Sequence, residues 1–485
     1  MPVMYKIYTK FLVKAVIVCI LPTTLVFAQW AENSGNRVIV RGGWVFDGLA
    51  DERKRNTGII IEGGIFTIID GHLDESVLSE FNVIDLDDEY TILPGMIDLH
   101  AHYNFDLVDK GRAEEVVYNG IVFLANGVTS TWSAGEYFPN RVIRHRDLID
   151  AGEATGPRVF ASGPYFGGFR CEYNVDTADD DCIGWPNDIT EDEIRAEVDY
   201  WAERGVRSIK IKQATPGEAK VLIEQAHKHG MTTTAHLADY SGGYDVHPRD
   251  AILMGLDRLE HKLTLGKGGE ASADMDQMIA LMISQQVYYD ANLQMYGGER
   301  LRQEIGSAMT WVDESRYFTP YTRELLSKRP PLPPESDVAT FDQRMRELVG
   351  LYKAGGENLL VVGTDEPVYV TLLPGFAFHR ELMAMVHAGL PPSAVLKAAT
   401  INGANALGVG DKLGSIETGK LADLVIVRGD PTTDISMTRN VRTVIKAGQI
   451  YEPQSLLKSA EDRIGPKGPD DHADWELHIE PLRKN

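Results

Sequence analysis

Leu93-Pro94-Gly95-Met96-Ile97-Asp98-Leu99-His100-Ala101-His102 is the stretch on which the fold turns. On a β-strand residues i and i+2 point to the same face, so His100 and His102 can offer two imidazoles to one metal ion. Alone, the pair is weak evidence, because core or solvent-facing histidines are common. The residues further along the chain decide its weight.

Downstream of this run, short apolar segments at 159–162, 208–211, 232–235, 258–260, 287–291 and 359–364 alternate with longer amphipathic ones, including 191–204, 216–229 and 341–354. Repeated strand-helix units predict a parallel sheet or barrel. The strand candidates run into loops rich in charge, glycine or histidine. His236 closes Thr232-Thr233-Thr234-Ala235, His261 closes Arg258-Leu259-Glu260, and Asp365 follows Gly363-Thr364. Each falls where a barrel strand delivers a residue to the C-terminal mouth, the face on which barrel enzymes build their sites. Five ligand-type residues so placed outweigh the bland reading of any one. Lys210 and Lys212, in Ile209-Lys210-Ile211-Lys212, face one way on a strand. A lysine aimed into a barrel is costly unless neutralised, paired or modified.

On either side of this region the chain is β-rich, with short runs at 37–40, 59–62, 66–69 and 83–86 before it and 423–427 and 444–447 after it. The expected architecture is α/β, a (β/α)8 TIM-like barrel (94–411) inserted in a small β-sandwich domain formed from both ends of the chain (29–93 and 412–452). Residues 453–485 are polar and proline-punctuated, an expected irregular tail.

Lys6, Lys10 and Lys14 lead into an apolar run ending Val26-Phe27-Ala28. This reads as a signal peptide, residues 1–28, cleaved near Ala28, with the mature protein periplasmic or secreted. The apolar run is too short for a stable membrane anchor. Cys171 and Cys182 are then the cysteines that remain, and in an oxidising compartment they are expected to close an acidic loop, 163–188, as a disulfide. The whole chain of 485 residues carries 48 basic and 71 acidic side chains, a net charge of −23. Such a charge repels phosphate backbones, so nucleic acid is not an expected partner. Homo-oligomerisation is left open.

Taken together, these motifs resemble the amidohydrolase superfamily. The resemblance rests on Leu93 to His102, Ile209-Lys210-Ile211, the two later histidines, Gly363-Thr364-Asp365, the run Ala398 to Gly408, and Gly419-Lys420-Leu421-Ala422-Asp423-Leu424-Val425. Asp147 to Val159 and His379-Arg380-Glu381-Leu382 look most like its imidazolonepropionase-like and Xaa-Pro or Xaa-Arg dipeptidase-like branch. Gly127-Val128-Thr129-Ser130-Thr131-Trp132-Ser133 departs from it, since relatives carry Arg-Asp after the Gly-Val-Thr run. The resemblance implies two divalent metal ions. His100, His102 and Asp365 would bind the more buried one, His236 and His261 the other, and Lys210, carbamylated by CO2, would bridge them. Lys212 is the alternative bridge. Histidine-rich ligation favours zinc, with manganese or iron as alternatives.

The expected function is hydrolysis of an amide or peptide C–N bond in a small substrate by a metal-bridging hydroxide, with Asp365 as proton shuttle. The alternatives are lactone or phosphotriester hydrolysis or deamination on the same metals, Asp239 being the carboxylate a deaminase would use, or a binding protein on an inactive barrel. Tyr103, Trp132, Tyr165 and His379 are pocket candidates by position, and ordinary packing is the competing reading of each.

Overall fold

The computed structural model describes residues 36–69, 75–107, 111–136, 139–167, 185–186, 188–237, 246–261, 263, 275–295, 314–328, 338–367 and 373–471. The signal segment, Cys171, Cys182 and Asp239 lie outside the described residues.

The first barrel strand, Met96–Ala101, pairs in parallel with Val128–Ser133, which pairs with Arg158–Phe160. The third position resumes at Tyr165–Phe166 beside Ser208–Lys212. Thr232–His236, Arg258–Glu260 and Tyr288–Asp290 follow, again in parallel. Residues 360–366 close the ring. Val361 N donates to Tyr289 O at 3.1 Å on one side, and Leu99 N donates to Val362 O at 2.9 Å on the other. This is the expected (β/α)8 barrel, except that the eighth position starts after a 3-10 turn, Glu357–Leu359, and holds its neighbours through single bridges.

Local chemistry sets the helix boundaries. Thr190 and Glu193 form a reciprocal capping box ahead of Glu191–Glu203, and Thr215 and Glu218 form another ahead of Pro216–Lys228, which has proline in its first turn. Each cap satisfies backbone donors that the first helical turn leaves open. Ile194, Val198 and Trp201 recur at helical spacing and are the buried face of the first of these helices. Burying an Ile or Val side chain contributes about 1.5–3 kcal/mol. That gain, more than propensity, holds the helix on the barrel.

Strands from both ends of the chain share one eight-stranded sheet. Its centre is the antiparallel pair Leu424–Arg428 and Asn82–Pro94, with Leu424 opposite Pro94. Val38 and Val40, Ile59 and Ile61, and Leu424 and Ile426 alternate onto a single apolar core, as a period of two requires. The sheet meets the barrel at the N-terminal ends of its strands. There the Arg158 guanidinium pairs with Asp423 at 2.5 Å, and Lys446 Nζ donates to Gly156 O at 2.6 Å.

The irregular tail expected from residue 453 needs correction. Pro453–Ala460 is a helix, capped by Glu452. Ala460 and Ile464 share a core with Ile121, Val122, Tyr317 and Phe318, and Leu456 packs against it. The polar residues between these apolar ones hid their helical spacing.

Candidate active site

Asp98 and His100 on the first strand, and His102 just after it, point into the barrel, continuing the alternation of the strand. His102 Nε2 lies 3.0 Å from Asp365 Oδ1, and His100 Nε2 lies 3.2 Å from the same oxygen. From the fourth strand, buried Lys210 brings Nζ to 3.3 Å from His100 Nε2 and pairs with Glu260. His236 and His261, from the fifth and sixth strands, meet at 2.9 Å. His261 Nδ1 is 3.8 Å from Asp365 Oδ2. All six residues expected as ligands therefore meet at one end of the barrel.

Two groups of buried donors are close enough to hold a metal ion. One is His100, His102 and Asp365, the other His100, Glu260 and His261. The second differs from the expected grouping, because His100 and Glu260 accompany His261 where His236 was expected. On a regular strand Glu260 and its neighbour His261 would point to opposite faces. His261 has φ 65, so the strand's alternation stops there and both side chains reach the site. Arg258 and Glu260 keep the period, and that pair was the available signal. Asp98 had the same signal, two residues before His100. It accepts from His100 N at 3.0 Å, Thr364 N at 3.1 Å and Thr364 Oγ1 at 2.8 Å, tying the first strand to the closing segment.

Left-handed backbone recurs at this rim, with φ 65 at His261, 47 at Asn292 and 56 at Asp365. Non-glycine residues pay for such conformations and cluster at functional sites.

Burial drives the protonation pattern. It pushes His102 down to about 4 and holds His236 and His261 well below the usual imidazole range, which keeps them neutral, the form that binds metal. Burial acts on His100 in the same direction, but the charges of Glu260 and Asp365 outweigh it and raise His100 to about 9. Glu260 itself falls to about 2 despite its burial, because His100, Lys210 and Arg258 surround it. Asp365 is likewise held well below the carboxylate range, against its burial, by His100, His102 and His261. The cluster thus combines neutral imidazoles with paired charges, His100 and Lys210 facing Glu260 and Asp365.

Three of the four pocket candidates make the packing contacts of the competing reading. Tyr103 is buried against Phe123, and its hydroxyl is 2.7 Å from Thr131 Oγ1. Trp132 is fully buried, donates Nε1–H to Ser208 O, and carries the Arg258 guanidinium 4.3 Å over its ring. His379 is enclosed on the helix Phe376–Ala388 with Nδ1 3.0 Å from Thr438 Oγ1. Tyr165 is also buried, its ring 4.6 Å from Lys212 Nζ at the end of the fourth strand.

Residues 91–451 match the model of the Amidohydrolase family. The imidazolonepropionase of Thermoplasma volcanium is 41% identical over 71 residues, 15% of this chain and 17% of that protein. That of Symbiobacterium thermophilum is 56% identical over 45 residues, 9% of this chain and 11% of that protein. The chain therefore spans about a sixth or less of the length of these curated relatives. Among solved structures, a Xaa-Pro dipeptidase with bound methionine in the active site aligns with a TM-score of 0.64 at 25% identity, over 86% of this chain and 100% of that one. Molinate hydrolase aligns with a TM-score of 0.65 at 20% identity, over 90% and 99%, a likeness of fold alone. With a family match over residues 91–451, well over half of its length, the chain belongs to the amidohydrolase family.

Proposed function

We propose that the protein is an exported, metal-dependent hydrolase that cleaves the amide or peptide C–N bond of a small substrate. The observation that carries this reading is the convergence of His100, His102 and Asp365, and of His100, Glu260 and His261, on adjoining points of the barrel mouth. The donor set fits divalent ions. Three imidazoles are held neutral, each donor group contains a carboxylate, and buried His102 Nδ1 has no hydrogen-bond partner among the described residues. Two divalent ions held there would lower the pKa of a shared water and polarise the scissile carbonyl.

The chain's own residues supply the rest. Asp365, beside both His100 and His102, is placed to take a proton from the attacking water and pass it to the leaving amine. Lys210, proposed as the carbamate bridge, already lies in the cluster, and its nitrogen would still have an N–H for Glu260 after carbamylation. Lys212 is partly exposed and lies against Tyr165, which supports Lys210 over it.

The test is turnover of metal-stripped and metal-loaded protein on dipeptides, N-acyl amino acids, lactones, phosphotriesters and amino-substituted heterocycles. Metal-dependent cleavage of the first two is expected, and turnover confined to the others excludes amide hydrolysis. Lys210→Ala should lose most activity and regain part of it with acetate or propionate plus metal. The bridge belongs to Lys212 if Lys212→Ala loses metal and activity while Lys210→Ala keeps both. Export predicts a mature N-terminus near Gln29, and the proposed Cys171–Cys182 disulfide predicts no alkylation of the exported protein without reductant.

A further inference from the structure

His100 belongs to both donor groups, so the direction of its ring matters more than that of any other ligand. An imidazole binds metal through one nitrogen only if the other carries the proton, and a hydrogen bond to that other nitrogen decides which is which. His100 Nε2 faces the cluster, 3.2 Å from Asp365 Oδ1. On the far side of the ring, Nδ1 lies 3.1 Å from Asp290 Oδ2, at the end of the seventh strand. Glu260 Oε1 is the next nearest carboxylate oxygen to Nδ1, at 3.7 Å. Both His100 and Asp290 are buried.

Asp290 is itself held from several directions. Asn292 Nδ2 donates to Asp290 Oδ1 at 3.1 Å and to Gly363 O at 2.9 Å, and Asp290 O accepts from His261 N at 2.8 Å. Gly363 completes the arrangement by what it lacks. A Cβ there would run into Asp290 Oδ2 and His100 Cβ, so the contact between carboxylate and imidazole passes through space that any other residue would fill.

We infer that Asp290 is a positioning residue that accepts the Nδ1–H of His100 and so turns the Nε2 lone pair toward the metal site, and that residue 363 is glycine because this contact occupies its side-chain space. This rests on the metal-dependent reading above. It adds an acidic residue 190 positions from His100 in the chain, outside the six expected ligands.

The experiment is a titration of metal-stripped protein with Co²⁺ and Zn²⁺ against a chromophoric chelator, for wild type, Asp290→Ala, Asp290→Asn, Gly363→Ala, His100→Ala and the double variant His100→Ala/Asp290→Ala. Thermal unfolding of the metal-free forms is run beside it. Asp290→Ala should weaken metal binding about 10- to 100-fold, the usual cost of removing a histidine's outer hydrogen-bond partner. Asp290→Asn keeps an acceptor oxygen and should lose less. Gly363→Ala should lose at least as much as Asp290→Ala, because it displaces both partners. In the His100→Ala background, Asp290→Ala should add nothing. Binding by Asp290→Ala within about twofold of wild type overturns the inference, as does an equal loss with His100 already gone. Should Asp290→Ala fail to fold, the order wild type, Asp290→Asn, Gly363→Ala carries the test, and any other order overturns the inference. Wild type that takes up neither metal sinks the metal reading itself, a result distinct from the others.

Discussion

The two ends of the barrel use charge in opposite ways. At the C-terminal mouth, His100, His102, His261, Lys210, Glu260 and Asp365 converge on a few points, and several of them share partners. At the N-terminal end the charges pair off. Arg158 meets Asp423, Lys446 meets the Gly156 carbonyl, and Ala447 N donates to Asp423 Oδ1 at 2.8 Å. Convergence leaves donors that a metal ion can take up, whereas pairwise satisfaction leaves a seam that fixes the small sheet against the barrel. The same fold separates reactivity from stability by assigning them to opposite strand ends.

The largest effects that would break this contrast lie at the mouth. Asp365→Asn should cut the rate by about 10²- to 10⁴-fold, the usual span of a general acid–base group, with a much smaller change in substrate binding. Steady-state kinetics on the best substrate checks it, and a variant holding more than about a tenth of the rate excludes the shuttle role. Its unfolding midpoint should move little compared with its rate.

At the seam the balance should reverse. Arg158→Ala leaves Asp423 buried without its partner and should cost about 3–5 kcal/mol in denaturant unfolding, with metal content unchanged in the folded fraction. Replacing both partners, as Arg158→Met with Asp423→Leu, should recover much of that loss. Loss of metal in the folded single variant would show that the two ends are coupled.

A smaller effect at the seam is one of pH. Burial, then the charge of Arg158, pushes Lys446 down from 10.5 to about 8. Between these values the unfolded chain holds more protons than the folded one, so this group's contribution to stability is lowest below about pH 8 and rises toward 10.5. Unfolding measured across that window should show the rise in wild type and a flatter profile in Lys446→Met. An identical slope in both would assign the rise to other groups.

The smallest expected change lies away from both ends. Thr190→Ala removes the capping box of Glu191–Glu203 and should cost about 1 kcal/mol, with no effect on metal or rate. A kinetic defect there would mean that the helix cap bears on the mouth.

Residue spacing along single strands made much of the site legible. His100 and His102 share a face because a strand repeats every two residues, and Lys210 lies within, His236 at the end of, and His261 just after strands whose apolar runs are visible in the chain. The capped helix starts at Thr190 and Thr215 were equally local. Alternation also carries Asp98 to the face of His100, and the change of backbone hand at His261 lets Glu260 and His261 both reach the site. The helix Pro453–Ala460 was not legible because its apolar residues acquire a partner only when Ile121 and Val122 pack against them.

What the sequence by itself determined about this protein is the barrel, the small sheet and the six residues gathered at the mouth, since each follows from periodicity within a short segment. Tertiary structure alone decided which side chains meet across the ring. Asp290 against His100, Asp98 against Thr364, and Arg158 against Asp423 depend on how the strands are staggered around the barrel and where the small sheet docks. So does the enclosure of Tyr103 and Trp132, which the chain presents beside the mouth and the closed barrel draws inside. The period of a strand fixes which face a residue occupies, but its depth in the barrel and its partner come from the closure of all eight positions together.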